Sequence, residues 1–99
     1  MEHHVYFWLK EEEKTAENRA AFEKGLDSLF DIPLCTGGRW AVPAPVMSRD
    51  VVDNTWDYAT VMFFDSIEDH DAYQINPDHQ VFIDGHKQRW AKVLVTDLA

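Results

Sequence analysis

Residues 5–9 read VYFWL, and this short run decides the fold class. β-Branched and aromatic residues favour a strand, and histidines before the run and charged residues after it set its ends. Side chains alternate along a strand, so His3 shares one face with Val5, Phe7 and Leu9. Tyr6 and Trp8 lie on the other face. Because both faces are apolar, the strand needs a covering layer on each side.

Capping residues and chain breakers predict the other elements. Thr15 is suited to cap a helix, and Ile32-Pro33 ends that helix. Near the other end of the chain, Pro77 is suited to the first turn of a new helix. The first half is predicted to form a strand at 5–9, a helix from Thr15 to about residue 30, a strand at 34–42 with a bulge or bend at Gly37-Gly38, and a loop at 46–57. The second half is predicted to form a strand at 58–64, a helix that is capped at Asp65-Ser66 and ends near residue 75, a helix at 77–83 that can resume at 86–90, and a strand at 93–96.

The order β-α-β-β-α-β is the ferredoxin-like split βαβ pattern, an α+β fold with a four-stranded antiparallel sheet and its helices on one face. A chain of 99 residues supports a single core, so 1–99 is predicted to be one domain. The helix-free face carries large apolar residues, namely Tyr6, Trp8, Val61, Phe63 and Leu94. Monomers rarely expose such a patch. We therefore expect a homodimer in which two sheets pack face to face and close a dimeric α/β barrel.

Composition narrows the classes of partner. Nine Lys and Arg stand against 18 Asp and Glu, a net charge of −9, which argues against nucleic acid and against anionic membrane surfaces. A single cysteine excludes an internal disulfide framework, and no apolar run approaches the ~20 residues of a membrane span. The first residues, MEHH, lack the features of a signal peptide. The expected location is therefore the cytoplasm.

The tract YQINPDH at residues 73–79 is the best candidate for a catalytic site. Tyr73 ends one helix and His79 lies in the first turn of the next, so a phenol and an imidazole can share a pocket at the junction. Imidazole is suited to acid–base chemistry near neutral pH, and a phenol can polarise a carbonyl oxygen. The alternative is structural: Tyr73 caps the core and His79 satisfies a helix end.

Other residues are candidates for binding a substrate beside this pair. His3 lies at the edge of the helix-facing layer, and Tyr58 lies on the helix-facing side of its strand. His70 and Gln74 share a helix face with Tyr73, since they are spaced at i, i+3 and i+4. That face either lines a pocket or is solvated, with Ile67, Ala72 and Ile75 packing instead. The candidate binding residues are His3, Tyr58, His70, Gln74 and Trp90, the last being otherwise an anchor of the core or its rim.

Three further positions bear on the chemistry. Gly25 costs its helix roughly 1 kcal/mol relative to alanine, so either a close contact or an open space is expected there. His86 is predicted to lie on a solvent-facing turn. The adjacent His3 and His4 point to opposite sides of a strand and cannot bind one metal ion together, and no spacing matches a known metal motif. We expect neither a metal nor a cofactor.

Several segments together resemble the stress-responsive A/B barrel (Dabb) family. They are HHVYFWLK at 3–10, Ile32-Pro33, VMFFDS at 61–66, Tyr73-x-x-x-Pro77-x-His79 and Trp90-x-Lys92-Val93-x-Val95-x-Asp97. The resemblance covers nearly the whole chain and implies a ferredoxin-like monomer in a dimeric barrel. A plant polyketide cyclase of this family, olivetolic acid cyclase, works without a cofactor, and the resemblance implies that Tyr73 and His79 match its catalytic pair.

The chain departs from that cyclase at three positions. Gly25 stands where the first helix of the cyclase has an aromatic pocket residue, Tyr58 stands for a histidine, and His70 stands for an apolar residue. We therefore expect a dimer that binds a small phenolic or keto compound between sheet and helices, with cofactor-free acid–base chemistry. The alternatives are a non-catalytic stress-related dimer with a filled core and a cofactor-free monooxygenase of the same superfamily.

Overall fold

The computed structural model describes residues 1–99 and has four strands and three α-helices. Single 3-10 turns lie at Glu11–Glu13 and Lys87–Arg89. In chain order, the main elements are β1 (Glu2–Leu9), α1 (Ala16–Leu29), β2 (Cys35–Ala41), β3 (Tyr58–Phe64), α2 (Ile67–Gln74), α3 (Pro77–His86) and β4 (Trp90–Leu98).

The strands form one antiparallel sheet in the order β2-β3-β1-β4, which confirms the ferredoxin-like prediction. In the middle of the sheet, Val5 pairs with Thr60 on one side and Val95 on the other. The predicted bend in β2 is also present, as a register shift between Cys35 and Gly37. Gly38 has φ of 144°, and a Cβ there would lie 2.1 Å from the Val61 carbonyl oxygen. Only glycine fits at this position.

Side-chain caps begin the helices where the sequence predicts them. The Thr15 hydroxyl accepts from the Asn18 backbone N–H at 3.1 Å, and the Ser66 hydroxyl accepts from Asp69 N–H at 3.1 Å. Asn76 caps α3, and Pro77 occupies its first turn. These caps satisfy N–H groups that have no partner within the helix.

Several predicted boundaries are wrong, and β1 begins at Glu2 rather than at residue 5. Helix α3 continues through Gly85 to His86 instead of ending at residue 83, and β4 begins at Trp90 rather than at residue 93. The last turn of α3 is held by packing, because the His86 ring lies 5.2 Å from Phe82 and 5.6 Å from Phe22. His86 is therefore half-buried and does not lie on a solvent-facing turn.

The core lies between the sheet and the helices. Phe7 of β1, Phe22 of α1 and Phe82 of α3 pack edge-on or tilted, with ring centroids 5.3–6.3 Å apart. The buried residues of β1 are His3, Phe7 and Leu9, which confirms the predicted alternation. The layer of helices thus covers one face of the sheet and positions the site described below.

The opposite face of the sheet is covered only in part. The loop at 42–57 turns back onto it, where Trp56 packs against Tyr6 at 5.4 Å and the Trp8 indole N–H donates to Thr55 at 2.9 Å. Phe63 stays 41% exposed and Leu94 44% exposed. No helix in the chain has the length and apolar character needed to cross a bilayer.

Candidate functional site

A cavity of about 120 Å³ lies between the sheet and helices α2 and α3. Strands β1, β3 and β4 form its floor, and most of its lining is apolar. A few polar or titratable side chains interrupt this wall: His3, Thr60, Tyr73, Gln74, His79 and Trp90. An apolar pocket with a few convergent polar groups is the usual form of a small-molecule site.

Tyr73 and His79 meet at the junction of α2 and α3. The Asn76-Pro77 break turns the chain, and it brings the two ring centroids to 4.7 Å with an interplanar angle of 60°. Tyr73 is 1% exposed, and its hydroxyl donates to the Met62 sulfur at 3.4 Å. Burial raises the pKa of Tyr73, so the phenol stays protonated. A thioether is a weak acceptor, and a ligand oxygen would be a stronger one for this hydroxyl.

His79 is a neutral imidazole at neutral pH. Burial lowers the pKa of His79, and although a hydrogen bond with the Gln74 backbone acts in the opposite direction, the neighbouring His3 and His70 lower it further. A neutral imidazole has a free nitrogen lone pair that can accept a proton. The arrangement therefore places a base beside a hydroxyl donor in one cavity.

Two polar atoms in the cavity wall have no hydrogen-bond partner. They are the Thr60 hydroxyl and the Trp90 indole N–H, both buried. An unsatisfied buried polar group destabilises a protein by about 1–3 kcal/mol, and such groups are rare enough to require an explanation. Both atoms belong to residues that line the cavity.

Most of the predicted binding residues are brought together by the fold. His3, Gln74 and Trp90 line the cavity with Tyr73 and His79. Ile67 is 62% exposed and Ile75 is 85% exposed, so α2 packs by its histidine–tyrosine face. Of the two alternatives for this helix face, the solvated one is therefore wrong.

Tyr58 does not line the cavity, contrary to the prediction. Its ring packs against Phe22 of α1 at 5.4 Å, and its hydroxyl donates to Glu23 at 2.6 Å. The guanidinium of Arg19 lies 5.6 Å from the ring centroid. Tyr58 is on the predicted face of β3, but it lies under α1, whereas Thr60 and Met62 of the same strand face the cavity. The predicted face of β3 is therefore correct, but Thr60 was not among the predicted binding residues.

His70 does not line the cavity either. It packs against the outer side of His3, with ring centroids 4.8 Å apart, and it lines a separate surface cleft with Asp71 and Asp97. His3, His70 and Asp97 each place one potential metal-ligand atom within 4.8 Å of the others. These donors come from β1, α2 and β4, so no local sequence motif could have identified the cluster.

The fold and the cavity define a class: an α+β protein of ferredoxin-like architecture with a small internal site between sheet and helices. A model of the stress responsive A/B barrel domain (Dabb) matches residues 1–99. The chain belongs to this family, as its sequence segments indicated. No curated protein matches the chain by sequence.

Solved structures confirm the fold. A protein of Arabidopsis thaliana is similar at 21% identity with a TM-score of 0.82, over 99% of this chain and 92% of its own. A dimeric ferredoxin-like protein of unknown function from Thermobifida fusca has 19% identity and a TM-score of 0.79, over 99% of this chain and 88% of its own. A hydroxynitrile lyase of Passiflora edulis has 15% identity and a TM-score of 0.79, over 96% of this chain and 87% of its own.

Proposed function

We propose that the chain forms a homodimer that binds a small oxygenated compound in the cavity and catalyses proton transfer on it without a cofactor. The observation that carries the proposal is the pairing of neutral His79 with the Tyr73 phenol inside a mostly apolar cavity, with their ring centroids 4.7 Å apart. His79 acts as the general base, and Tyr73 donates to the oxygen on which charge develops.

The cavity limits the size of the ligand. Its volume of about 120 Å³ is close to the ~150 Å³ of an engineered cavity that holds benzene. A single ring or a short chain fits, and a larger polycyclic compound does not. The unpartnered Trp90 indole N–H and Thr60 hydroxyl favour a carbonyl or phenol oxygen over a pure hydrocarbon. The ligand class is therefore a phenolic or keto compound of about one ring.

The proposed reaction begins at a carbon next to the carbonyl of the ligand. The imidazole of His79 removes a proton from that carbon, and the electron pair moves to the carbonyl oxygen, where the Tyr73 hydroxyl donates a hydrogen bond. The enolate then takes back a proton from His79, which restores the neutral base. Where the enolate instead adds to a second carbonyl group, the alkoxide that forms takes the proton from His79 and restores the base in the same way. Burial supports this step, because it keeps His79 unprotonated at neutral pH.

Dimerisation through the helix-free face is the second part of the proposal. Phe63 and Leu94 are exposed there, and the neighbouring loop carries Met47 at 83% and Val51 at 82% exposure. A second copy of the chain would cover both surfaces. The T. fusca protein of the same fold is described as dimeric, which supports this arrangement.

A non-catalytic binding dimer is the second candidate, because the unpartnered polar atoms favour a ligand whether or not it reacts. One experiment separates the two. The purified dimer is screened by ligand-observed NMR against single-ring phenols and ketones, and hydrogen–deuterium exchange at the carbon next to the carbonyl of each bound ketone is followed in D₂O.

We expect binding and protein-dependent exchange, with exchange lost in His79→Gln and reduced in Tyr73→Phe. His4→Gln is the matched control, because His4 lies on β1 outside the cavity lining. Binding without exchange would favour the non-catalytic dimer. Absence of any bound compound, or exchange that persists in His79→Gln, would contradict the proposed site.

A further inference from the structure

We propose that His3, His70 and Asp97 form a binding site for one divalent transition-metal ion, with Zn²⁺ as the expected type. The site lies on the outer side of His3, away from the cavity, and it does not depend on the proposed catalytic role of His79. Three separate elements supply the ligands, since His3 is in β1, His70 in α2 and Asp97 in β4.

The distances are already close to those of a metal site. His3 and Asp97 pair across adjacent strands, with Nδ1 of His3 and Oδ1 of Asp97 2.5 Å apart. The Nε2 atom of His70 lies 3.8 Å from the same oxygen. Ligand atoms around a tetrahedral ion at ~2.0 Å lie roughly 3.3 Å from one another. Entry of the ion therefore displaces the shared proton, moves Asp97 outward from His3 and brings it nearer His70.

Asp71 orients the second histidine. Its carboxylate lies 3.0 Å from Nδ1 of His70, so Nδ1 carries the proton and Nε2 presents its lone pair to the cluster. Metal-bound histidines commonly have this arrangement, in which the distal ring nitrogen donates to a carboxylate. The Nε2 atom of His70 has only a long contact with the Gln74 side-chain amide at 3.4 Å, and the Asp97 oxygen lies 3.8 Å from it. A cation placed between the His70 lone pair and the Asp97 carboxylate would bind both.

The environment suits a metal ion that enters from solvent. His3 is 4% exposed and forms the inner ligand, whereas the Asp97 side chain is 41% exposed. A surface cleft lined by His70, Asp71 and Asp97 gives access. Two imidazoles and one carboxylate suit Zn²⁺, Co²⁺ or Ni²⁺ rather than Mg²⁺ or Ca²⁺, and solvent from the cleft would complete the coordination.

The experiment uses tag-free dimer that has been stripped with a chelator. Zn²⁺ is titrated by calorimetry, and Co²⁺ serves as a probe because tetrahedral Co²⁺ absorbs visible light far more strongly than the hydrated ion. We expect one ion per chain, intense Co²⁺ absorption and a higher melting temperature with Zn²⁺, since the ion binds only the folded chain.

His70→Leu should lower the Zn²⁺ affinity at least tenfold and abolish the intense Co²⁺ absorption, and Asp97→Asn should do the same. His4→Gln is the control, because it removes the histidine next to His3 on the opposite side of β1. His70→Leu leaves the cavity lining intact, so it should still bind the small ketones of the previous section. Unchanged Zn²⁺ binding in His70→Leu, or Co²⁺ that keeps the spectrum of the hydrated ion, would overturn the site.

Discussion

The imidazole ring of His86 lies directly over the α-carbon of Gly25. A Cβ at Gly25 would be 2.3 Å from Nε2 and 2.8 Å from Cε1 of His86, so a side chain at this position of α1 would collide with the His86 ring of α3. His86 of α3 fills the space that a side chain at this position would occupy.

Gly25→Ala should therefore destabilise the protein, contrary to the usual effect. In an exposed helix the substitution stabilises by up to about 1 kcal/mol, but here the new methyl group displaces a ring that packs against Phe22 and Phe82. We expect the free energy of unfolding to fall by about 1–2 kcal/mol in urea denaturation.

The control is the same substitution in a His86→Ala background. Without the ring, the methyl group has space, and Gly25→Ala should raise stability by about 0.5–1 kcal/mol. The stability change caused by Gly25→Ala should thus be negative in the wild type and positive in His86→Ala, and the difference between the two values measures the coupling energy between Gly25 and His86. If Gly25→Ala has the same effect in both, the His86 contact does not determine the choice of glycine.

Thr60→Val should stabilise the unliganded protein. The Thr60 hydroxyl is buried without a partner, and valine has nearly the same shape, so the substitution removes an unsatisfied polar group. We expect an increase of about 1 kcal/mol in the free energy of unfolding, together with weaker binding of oxygenated ligands. Thr36→Val is the matched control and should give no gain, because the Thr36 hydroxyl already donates to the Phe63 carbonyl at 3.2 Å. A loss of stability in Thr60→Val would show that its hydroxyl is satisfied in solution.

Stability should decrease as pH falls from 7.5 to 5.5. Burial lowers the pKa of His79 and of His86 below the ordinary 6.5, so the unfolded chain binds protons that the folded chain does not. By linkage, the stability is fully present above pH 6.5 and is lost progressively below it. Melting temperatures should show this slope, and His79→Gln should flatten it. His79 is faced by Tyr73, whose pKa is raised by burial so that it stays protonated throughout this range, and by His3, whose pKa is also lowered by burial and adds to the slope. A melting temperature that does not change over this interval would be inconsistent with buried neutral histidines.

Phe63→Lys should dissociate the dimer. A charged side chain within an apolar interface must lose its hydration without a partner, and Phe63 is an exposed apolar residue of the helix-free face. Light scattering should give twice the chain mass for the wild type and the single chain mass for the variant. Val81→Lys is the matched control, because Val81 is 69% exposed but lies on α3, on the other side of the sheet. A wild type that is monomeric at micromolar concentration would contradict the proposed interface.

The fold could be predicted from sequence because its signals are local. The apolar run of β3 at 58–64 coincides with the observed strand, and Thr15 and Ser66 cap the helices that they were predicted to cap. The Tyr73–His79 pair also followed from a local feature, since Pro77 at the break brings the two ends together.

The rest of the site depends on distances that sequence does not encode. Alternation along β3 assigns Tyr58 and Thr60 to the same face, but it does not say that α1 lies above one and the cavity lies above the other. The meeting of His3, His70 and Asp97 likewise depends on strand register and helix placement. Both require the assembled tertiary structure.

Asp57 joins three parts of the fold, and its removal should be among the most destabilising single changes outside the core. One carboxylate oxygen accepts from the Leu9 backbone N–H at 2.8 Å, the other accepts from Arg19 at 3.2 Å, and the side chain is only 12% exposed. Asp57→Ala leaves the N–H of Leu9 and a partly buried guanidinium without their acceptor, and we expect a loss of about 2–3 kcal/mol in urea denaturation. Asp57→Asn keeps an oxygen for Leu9 and should lose about half as much. If both variants stay within 0.5 kcal/mol of wild type, roughly the range of neutral surface changes, solvent replaces these contacts and the Asp57 junction contributes little to stability.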